Sequence, residues 1–231
     1  MPTVVQTHAT TGIGSSSPLQ TSFSSLPTAG NAVIVAIAIT FGSPPAAVSG
    51  VTDNQGNTYQ PVITKTDNAD MHCLASLWWC AAVNTPSGTF TVSAAYSGTA
   101  AGGNCAIGIM EVNGITAVDQ AGSANDSAGS ITTLTATCTG PNTNAGDLVV
   151  GGVMTNYYGT PNSITSPPNT GYSSLMVVPS GVALTFGYKI LSAIETSSVQ
   201  ASWTTAYPAC SVVATFSPPA LGNQLMGQIC L

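Results

Sequence analysis

The sequence predicts an all-β protein: two antiparallel β-sandwich units of jelly-roll or Greek-key type in tandem, or the same two units merged into one large sandwich. Three observations carry this reading. Short alternating or β-branched segments recur along the 231 residues, broken by clusters of Gly, Pro, Asn and Ser at intervals of roughly 8–15 residues. No segment shows the apolar period of an amphipathic helix. The chain also matches itself, an internal repeat that bears on the whole architecture. Ala29-Gly30-Asn31 followed by Ala32-Val33-Ile34-Val35 corresponds to Ala145-Gly146-Asp147 followed by Leu148-Val149-Val150-Gly151. Val51-Thr52-Asp53 through Tyr59 runs parallel to Ile164-Thr165-Ser166 through Tyr172, and Trp79 aligns with Tyr188. Phe90-Thr91-Val92 aligns with Val199-Gln200-Ala201, and Cys105-Ala106-Ile107 with Cys210-Ser211-Val212. The separation shrinks from 116 to 105 residues along the chain, as loop deletions would make it.

In chain order the first half reads as strands at about 3–9, 19–25, 31–41, 46–52, 58–65, 71–82, 89–96 and 104–113. The run Ala32–Phe41 (AVIVAIAITF) is continuously apolar and β-branched, the mark of a buried strand, and too short to cross a bilayer. The second half gives strands at about 116–121, 131–138, 147–155, 161–165, 172–178, 182–192, 198–204 and 209–217. Gly/Asn turns separate them in both halves. The seam is Gly114 to Ser130, whose later part is small and polar enough for a loop. Ser217-Pro218-Pro219 ends the last strand by removing amide donors. The predicted organisation is a first sandwich at 1–115, a second at 116–217 and an apolar C-terminal arm at 218–231. That arm keeps Leu221, Leu225, Met226, Ile229 and Leu231, the composition of a segment that seeks a groove.

Charge excludes several classes of function. Lys65 and Lys189 are the sole fixed cations, arginine is absent, and the formal net charge is -6. Charged residues make up 4%, against about 25% in an ordinary soluble domain. Counterion release cannot then drive nucleic-acid binding, and there is no basic patch for anionic lipid or arginine clamp for phosphate. Neither nucleic acid nor membrane is an expected partner. A hydrophobic content of 44% nevertheless predicts a packed core. The start, MPTVVQTHATTG, lacks the cationic and apolar stretches of a secretory leader, which agrees with synthesis in a host cytoplasm and release by lysis.

The segments AGN plus a Val/Ile strand, VTDNQGNTY, SLWWCAAV, and GTFTVSAAYSG followed by CAIGIMEVNGI resemble β-sandwich modules of secreted bacterial surface proteins and of bacteriophage virion proteins, especially head-decoration and tail-associated ones. The resemblance covers both halves, the first more fully, and its motifs are turns and core strands. It implies a display, cement or carbohydrate-contact role and supplies no catalytic residue.

The chemistry-bearing residues are few. The nucleophile elbow G-x-S-x-G, H-E-x-x-H and the phosphate-binding glycine loop are absent. The catalytic alternative is a serine hydrolase assembling His8 or His72 with a distant carboxylate, and the expectation is that the chain is not an enzyme. Asp67, Asn68 and Asp70 form the one local acidic cluster. They could offer part of the six to eight oxygens that Ca²⁺ takes, with Asp53 and Asn54 nearby, but the cluster departs from the EF-hand pattern and reads first as a solvated hairpin loop. His72 beside Cys73 has no second ligand at metal spacing. No metal or other cofactor is expected.

Six cysteines without a C-x-x-C pair disfavour zinc ribbons and thioredoxin-type chemistry. Cys73 or Cys80 is the candidate to bridge Cys105 within the first half, and Cys230 the candidate for an inter-chain bond. Cys105 and Cys210, at matching repeat positions, read equally as core filler. Trp78 and Trp79 are adjacent, so in a strand they leave on opposite faces and one needs cover from elsewhere. Tyr157 and Tyr158 pose the same question in the second half. All four are candidate interface or glycan-stacking residues.

Sheet edges unprotected by charge are aggregation templates, and this chain has two lysines for about sixteen expected strands. The functional expectation is therefore a non-enzymatic virion structural protein, a capsid decoration, cement or tail-associated subunit. Its partners would be copies of itself or a major capsid protein, contacted through strand edges, aromatics and the C-terminal arm. The rival is a secreted carbohydrate-binding or adhesin module with a glycan partner.

Overall fold

The computed structural model describes residues 1–13, 17–41, 47–67, 72–98, 105–155, 162–163, 168–178, 180–181 and 183–219. All regular structure among them is β. The first half contributes β1 (Thr3–Ile13), β2 (Leu19–Ser22), β3 (Ala32–Phe41), β4 (Ala47–Asp53), β5 (Gln60–Asp67), β6 (His72–Cys80), β7 (Thr91–Ser97) and β8 (Cys105–Asn113). The second contributes β9 (Ala117–Asp126), β10 (Thr133–Thr137), β11 (Leu148–Thr155), β12 (Asn162–Ser163), β13 (Ser173–Val178), β14 (Ser180–Gly181), β15 (Leu184–Ile190), β16 (Ser198–Ser202) and β17 (Ala209–Ser217). Residues 220–231 of the predicted C-terminal arm, with Leu221, Leu225, Met226, Ile229, Cys230 and Leu231, lie outside the described residues, as do Asn68, Asp70, Tyr157 and Tyr158.

Pairing is antiparallel throughout. A five-stranded sheet of order β1-β8-β3-β6-β5 is accompanied by a three-stranded sheet β2-β7-β4. Strands distant in sequence thus lie side by side, in a Greek-key arrangement of jelly-roll type with β5 on the edge of the larger sheet. The second half forms a five-stranded sheet of order β13-β15-β11-β17-β9 and a two-stranded sheet β10-β16, with β12-β14 as a separate small ladder.

The central strands are buried on both faces because a third packing surface is present. One core lies between the first five-stranded sheet and its three-stranded companion and takes Val33, Val35, Ile37 and Ile39 of β3 together with Leu19, Val92 and Tyr96. A second joins the two five-stranded sheets face to face: Ala32, Ile34, Ala36 and Ala38 from β3 meet Val150, Phe186, Val212 and Phe216. Smaller cores beneath β10 and β16 hold Leu134, Ala136, Val199 and Trp203. The stack is four layers deep, with the two large sheets inside.

The sequence of β3 shows how this is specified. A strand alternates faces with every residue, and here the alternation is of size: Val and Ile point toward the small sheet, mostly Ala toward the other large sheet. Ala75 of β6 and Ala106 of β8 extend the small-residue face. A Cβ placed on Gly108 would sit 3.5 Å from Leu175 Cγ and from Met176 Cβ, ordinary contact distance, so the sheets approach closely there.

The second sheet brings Leu175, Met176, Phe186, Val212 and Phe216 to the seam, and the first adds Leu77, Trp79 and Met110 beside its alanines. Phe186 lies over Gly152, its cross-strand partner, where a Cβ would meet the ring at 2.3 Å. The ring occupies the space a larger residue would need. Gly152→Ala is expected to destabilise the fold by about 1–3 kcal/mol through overpacking, read as a lower urea midpoint with unchanged slope. An unaltered midpoint would show that Phe186 does not fill this position.

Candidate functional site

A chain with so few ionised groups shows by their placement where polar chemistry is concentrated. Four of its ten charged residues, Asp119, Asp147, Lys189 and Glu195, gather at one corner of the second half. A tight turn builds the corner. Gly146, at φ 98°, donates its N–H to Leu191 O (2.7 Å), and Leu191 N–H returns to Asp147 O (2.8 Å). That positive φ favours glycine, and the turn places Asp147 immediately before β11. The same hydrogen bonds recur in the first half, where Gly30, at φ 86°, donates to Val83 O (2.9 Å) and Val83 N–H to Asn31 O (2.8 Å).

Asp119 arrives by a different device. It falls at the break in register between β9 and β17, where Thr215 pairs with Gln120 but Phe216 with Val118. Such a bulge re-aims a side chain, and Asp119 is turned to the neighbourhood of Asp147. Thr143 N–H donates to Asp119 Oδ2 (2.7 Å), and Asn142 is locked between the two backbone groups of Glu195, donating N–H to its O (3.0 Å) and accepting from its N–H on Oδ1 (2.6 Å). Lys189 Nζ pairs with Glu195 Oε1 (3.0 Å) and lies 5.5 Å from the centre of the Tyr172 ring. This is the one ion pair seen among the described residues; it is partly exposed, and its contribution to stability is small.

Asp147 is 0% exposed, and no hydrogen-bond donor reaches either carboxylate oxygen in bonding geometry. Burial, and then the Asp119 carboxyl beside it, hold its pKa above the ordinary 3.8, against a smaller downward pull from Asn144 and Asn142. The equivalent place in the first half is resolved differently. Glu111, also fully buried, accepts from Thr28 N–H (2.8 Å), Asn31 Nδ2 (2.6 Å) and Gln6 Nε2 (2.7 Å), and Asn113 Nδ2 donates to Asn31 Oδ1 (2.7 Å). There an amide faces the acid, whereas in the second half an acid faces an acid. The corner was missed in the sequence because its two aspartates are 28 positions apart and a bulge is needed to join them.

The residues singled out in the sequence fare unevenly. Trp78 and Trp79 do leave β6 on opposite faces, but both are covered within the chain, at 9% and 8% exposure. Trp79 sits in the seam between the large sheets with its ring 5.8 Å from Phe216, and Trp78 lies under the three-stranded sheet with Nε1–H donating to Ser76 Oγ (2.9 Å). Neither is a stacking platform, because each face of this sheet is buried by another layer of the same molecule.

The proposed bridges to Cys105 are not formed. The five described cysteines are free thiols. Cys73 points into the seam while Cys105 points to the opposite face, and Cys80 stands at the far end of β6 from the β3 residues that neighbour Cys105. Burial pushes the thiols of Cys105 and Cys138 up to about 11.

Asp67 is fully buried at the end of β5, paired with Cys73, and so is not part of a solvated loop. Asp53 is not its neighbour. It lies by Cys80, at the other end of β6, and its oxygens are taken by Gln55 N–H, Asn57 N–H, Asn57 Nδ2 and Tyr59 Oη. That carboxylate ties its own loop. His8 shares a 3.0 Å hydrogen bond with Thr21 Oγ1 rather than with a carboxylate; the side chain of His72 is outside the described residues. No group of three or more His, Cys, Asp and Glu able to hold a metal ion occurs among the described residues.

The chain matches no family model, no curated protein and no solved structure. Its site is read from its own chemistry.

Because the folded state holds the Asp147 proton more tightly than the unfolded chain, stability falls as pH rises from the ordinary carboxylate value through the folded-state value and stays lower above it. Asp147→Asn would convert the pair into the amide–acid arrangement of Asn31 and Glu111. It is expected to raise the urea midpoint at pH 7 and to flatten the loss of stability above pH 4. A lower midpoint at pH 7 would mean that the ionised acid is supported by something else.

Proposed function

We propose that this chain is a duplicated jelly roll with a structural role, a non-enzymatic subunit of a protein assembly such as a capsid-decorating or tail-associated lattice. The observation that carries the reading is the edge position of β1, which among the described residues pairs with β8 alone. This strand runs eleven residues, Thr3–Ile13, with no charged residue and no proline, at the margin of the first five-stranded sheet. Monomeric sheet proteins blunt such margins with lysine, proline, very short edge strands or β-bulges; β1 is long and has neither lysine nor proline, and its breaks in register with β8, at Val4/Gln6 and Thr10/Ile13, leave Gln6–Thr10 as a regular stretch between them.

Part of the exposed apolar surface lies in the same region, the rest being Ile131, Ile190 and Ile194 in the second half. Val5 is 50% exposed on β1, and Met1 just before it is largely exposed. Leu26, also exposed, is held alongside by the hydrogen bonds between Gln6 and Ser25, Nε2 to O (3.2 Å) and Oγ to Oε1 (2.9 Å). A strand added at this margin would extend the sheet by main-chain hydrogen bonds, and Met1, Val5 and Leu26 would give it an apolar rim. The occupant we assign is a second copy of this chain, in a contact that adds main-chain hydrogen bonds and needs no ions. A nearly uncharged surface suits such a contact, since no ion has to be desolvated when it forms.

Sedimentation of the wild-type chain across a range of concentrations is expected to show reversible or stable oligomers. Val5→Lys, which places a charge near the start of the edge, is expected to weaken association at least tenfold with an unchanged circular dichroism spectrum. A wild-type chain that remains monomeric at millimolar concentration would overturn the reading.

A further inference from the structure

We propose that Cys73 and Cys210 are a disulfide-forming pair that ties the two five-stranded sheets together when the protein meets an oxidising medium. The residues come from opposite sides of the seam, Cys73 from β6 in the first half and Cys210 from β17 in the second, strands that pack directly on one another. Both are fully buried in the core that joins the large sheets. Their side chains are within hydrogen-bonding reach of each other. The other described cysteines belong elsewhere: Cys80 and Cys105 line the opposite face of the first sheet, and Cys138 the core beneath β10 and β16.

The architecture favours this crossing. Face-to-face sheets ordinarily lie about 10 Å apart, whereas a disulfide needs Cα atoms about 4.4–6.8 Å apart. A seam lined on one side by Ala36, Ala38, Ala75 and Ala106 lets backbones approach more closely than one lined by large side chains. Antibody-type sandwiches carry an inter-sheet disulfide of the same kind. The bond here would differ in joining two halves of the chain far apart in sequence.

The chemistry balances with a small disulfide such as oxidised glutathione as the oxidant. The Cys73 thiolate attacks one sulfur of the oxidant, breaking its S–S bond and releasing one glutathione thiolate. The Cys210 thiolate then attacks Cys73 Sγ in the mixed disulfide and releases the second. Two protein S–H bonds are lost, one S–S bond forms, and the oxidant leaves as two thiols carrying the protons. Burial, and next the adjoining Cys210, raise the Cys73 thiol well above its ordinary value. Thiolate is therefore scarce in the closed seam, and reaction proceeds when the seam opens. Oxidation is expected to be slow in buffer and faster in mild urea.

The test uses the full chain. After incubation with oxidised glutathione, with and without mild urea, free thiols are alkylated and the protein is digested with pepsin for mass spectrometry. The expected result is a Cys73–Cys210 cross-linked peptide and a rise in Tm of about 5–15 °C, as a bond closing so long a loop should give, reversed by dithiothreitol. Cys73→Ala and Cys210→Ala should each lose both cross-link and rise, while Cys105→Ala keeps them. If a cysteine variant fails to fold, the wild-type peptide map alone decides. Full alkylation of Cys73 and Cys210 after oxidation, or cross-links spread over other pairs, would overturn the proposal.

Discussion

Burying both faces of β3, β6, β8, β11 and β17 requires that each strand meet a sheet on either side, and the molecule achieves this by laying its two largest sheets against one another. The constraint is one of volume. Protein interiors are packed at crystal-like density, so two twisted five-stranded sheets meet without voids when bulk on one side finds small residues on the other. Alanines of β3, β6 and β8 supply the small residues, beside Leu77, Trp79 and Met110 of the same sheet, while Leu175, Met176, Phe186, Val212 and Phe216 face them from the other. The positions of Trp79, Cys73 and Cys210 follow from this arrangement, as does the lack of an exposed tryptophan.

The same constraint decides where charge can go. With the large sheets inside, the described charged residues lie in turns and loops or within a few residues of a strand end. Each half keeps a buried acid beside its glycine turn. The first half satisfies Glu111 with three donors, whereas the second leaves Asp147 against Asp119. A buried polar group without a partner carries a cost that a satisfied one does not, so the two corners are built alike but differ in energy. This asymmetry makes the second corner the chemically distinctive place among the described residues.

Much of the fold was legible because strands announce themselves through period and punctuation. Ala32–Phe41, Cys105–Asn113 and Ala209–Ser217 were read within one residue of their observed limits, and the turns at Gly30 and Gly146 were found as a matched pair. What covers each face was not legible. A continuous apolar run says that both sides of a strand are buried without saying by what, so Trp78 and Trp79 looked like a surplus that needed an outside partner. The size alternation in AVIVAIAITF carried the missing information, since Ala32, Ala36 and Ala38 on one face of the strand signal a close sheet-to-sheet approach. The cysteine pairing failed for a related reason: proximity in the chain favoured Cys105, but side-chain parity places Cys73 and Cys105 on opposite faces. The Asp119–Asp147 corner depends on a β-bulge, a one-residue register shift that no local pattern marked.

The central claim is that the two halves share one core through the seam of the large sheets, and native-state hydrogen exchange tests it most directly. If the seam unites them, the slowest amides of β3, β6 and β8 and those of β11 and β17 will exchange with a common free energy and a common dependence on denaturant, as parts of one cooperative unit. Two separate sets, with the strands of one half opening while those of the other stay protected, would contradict it.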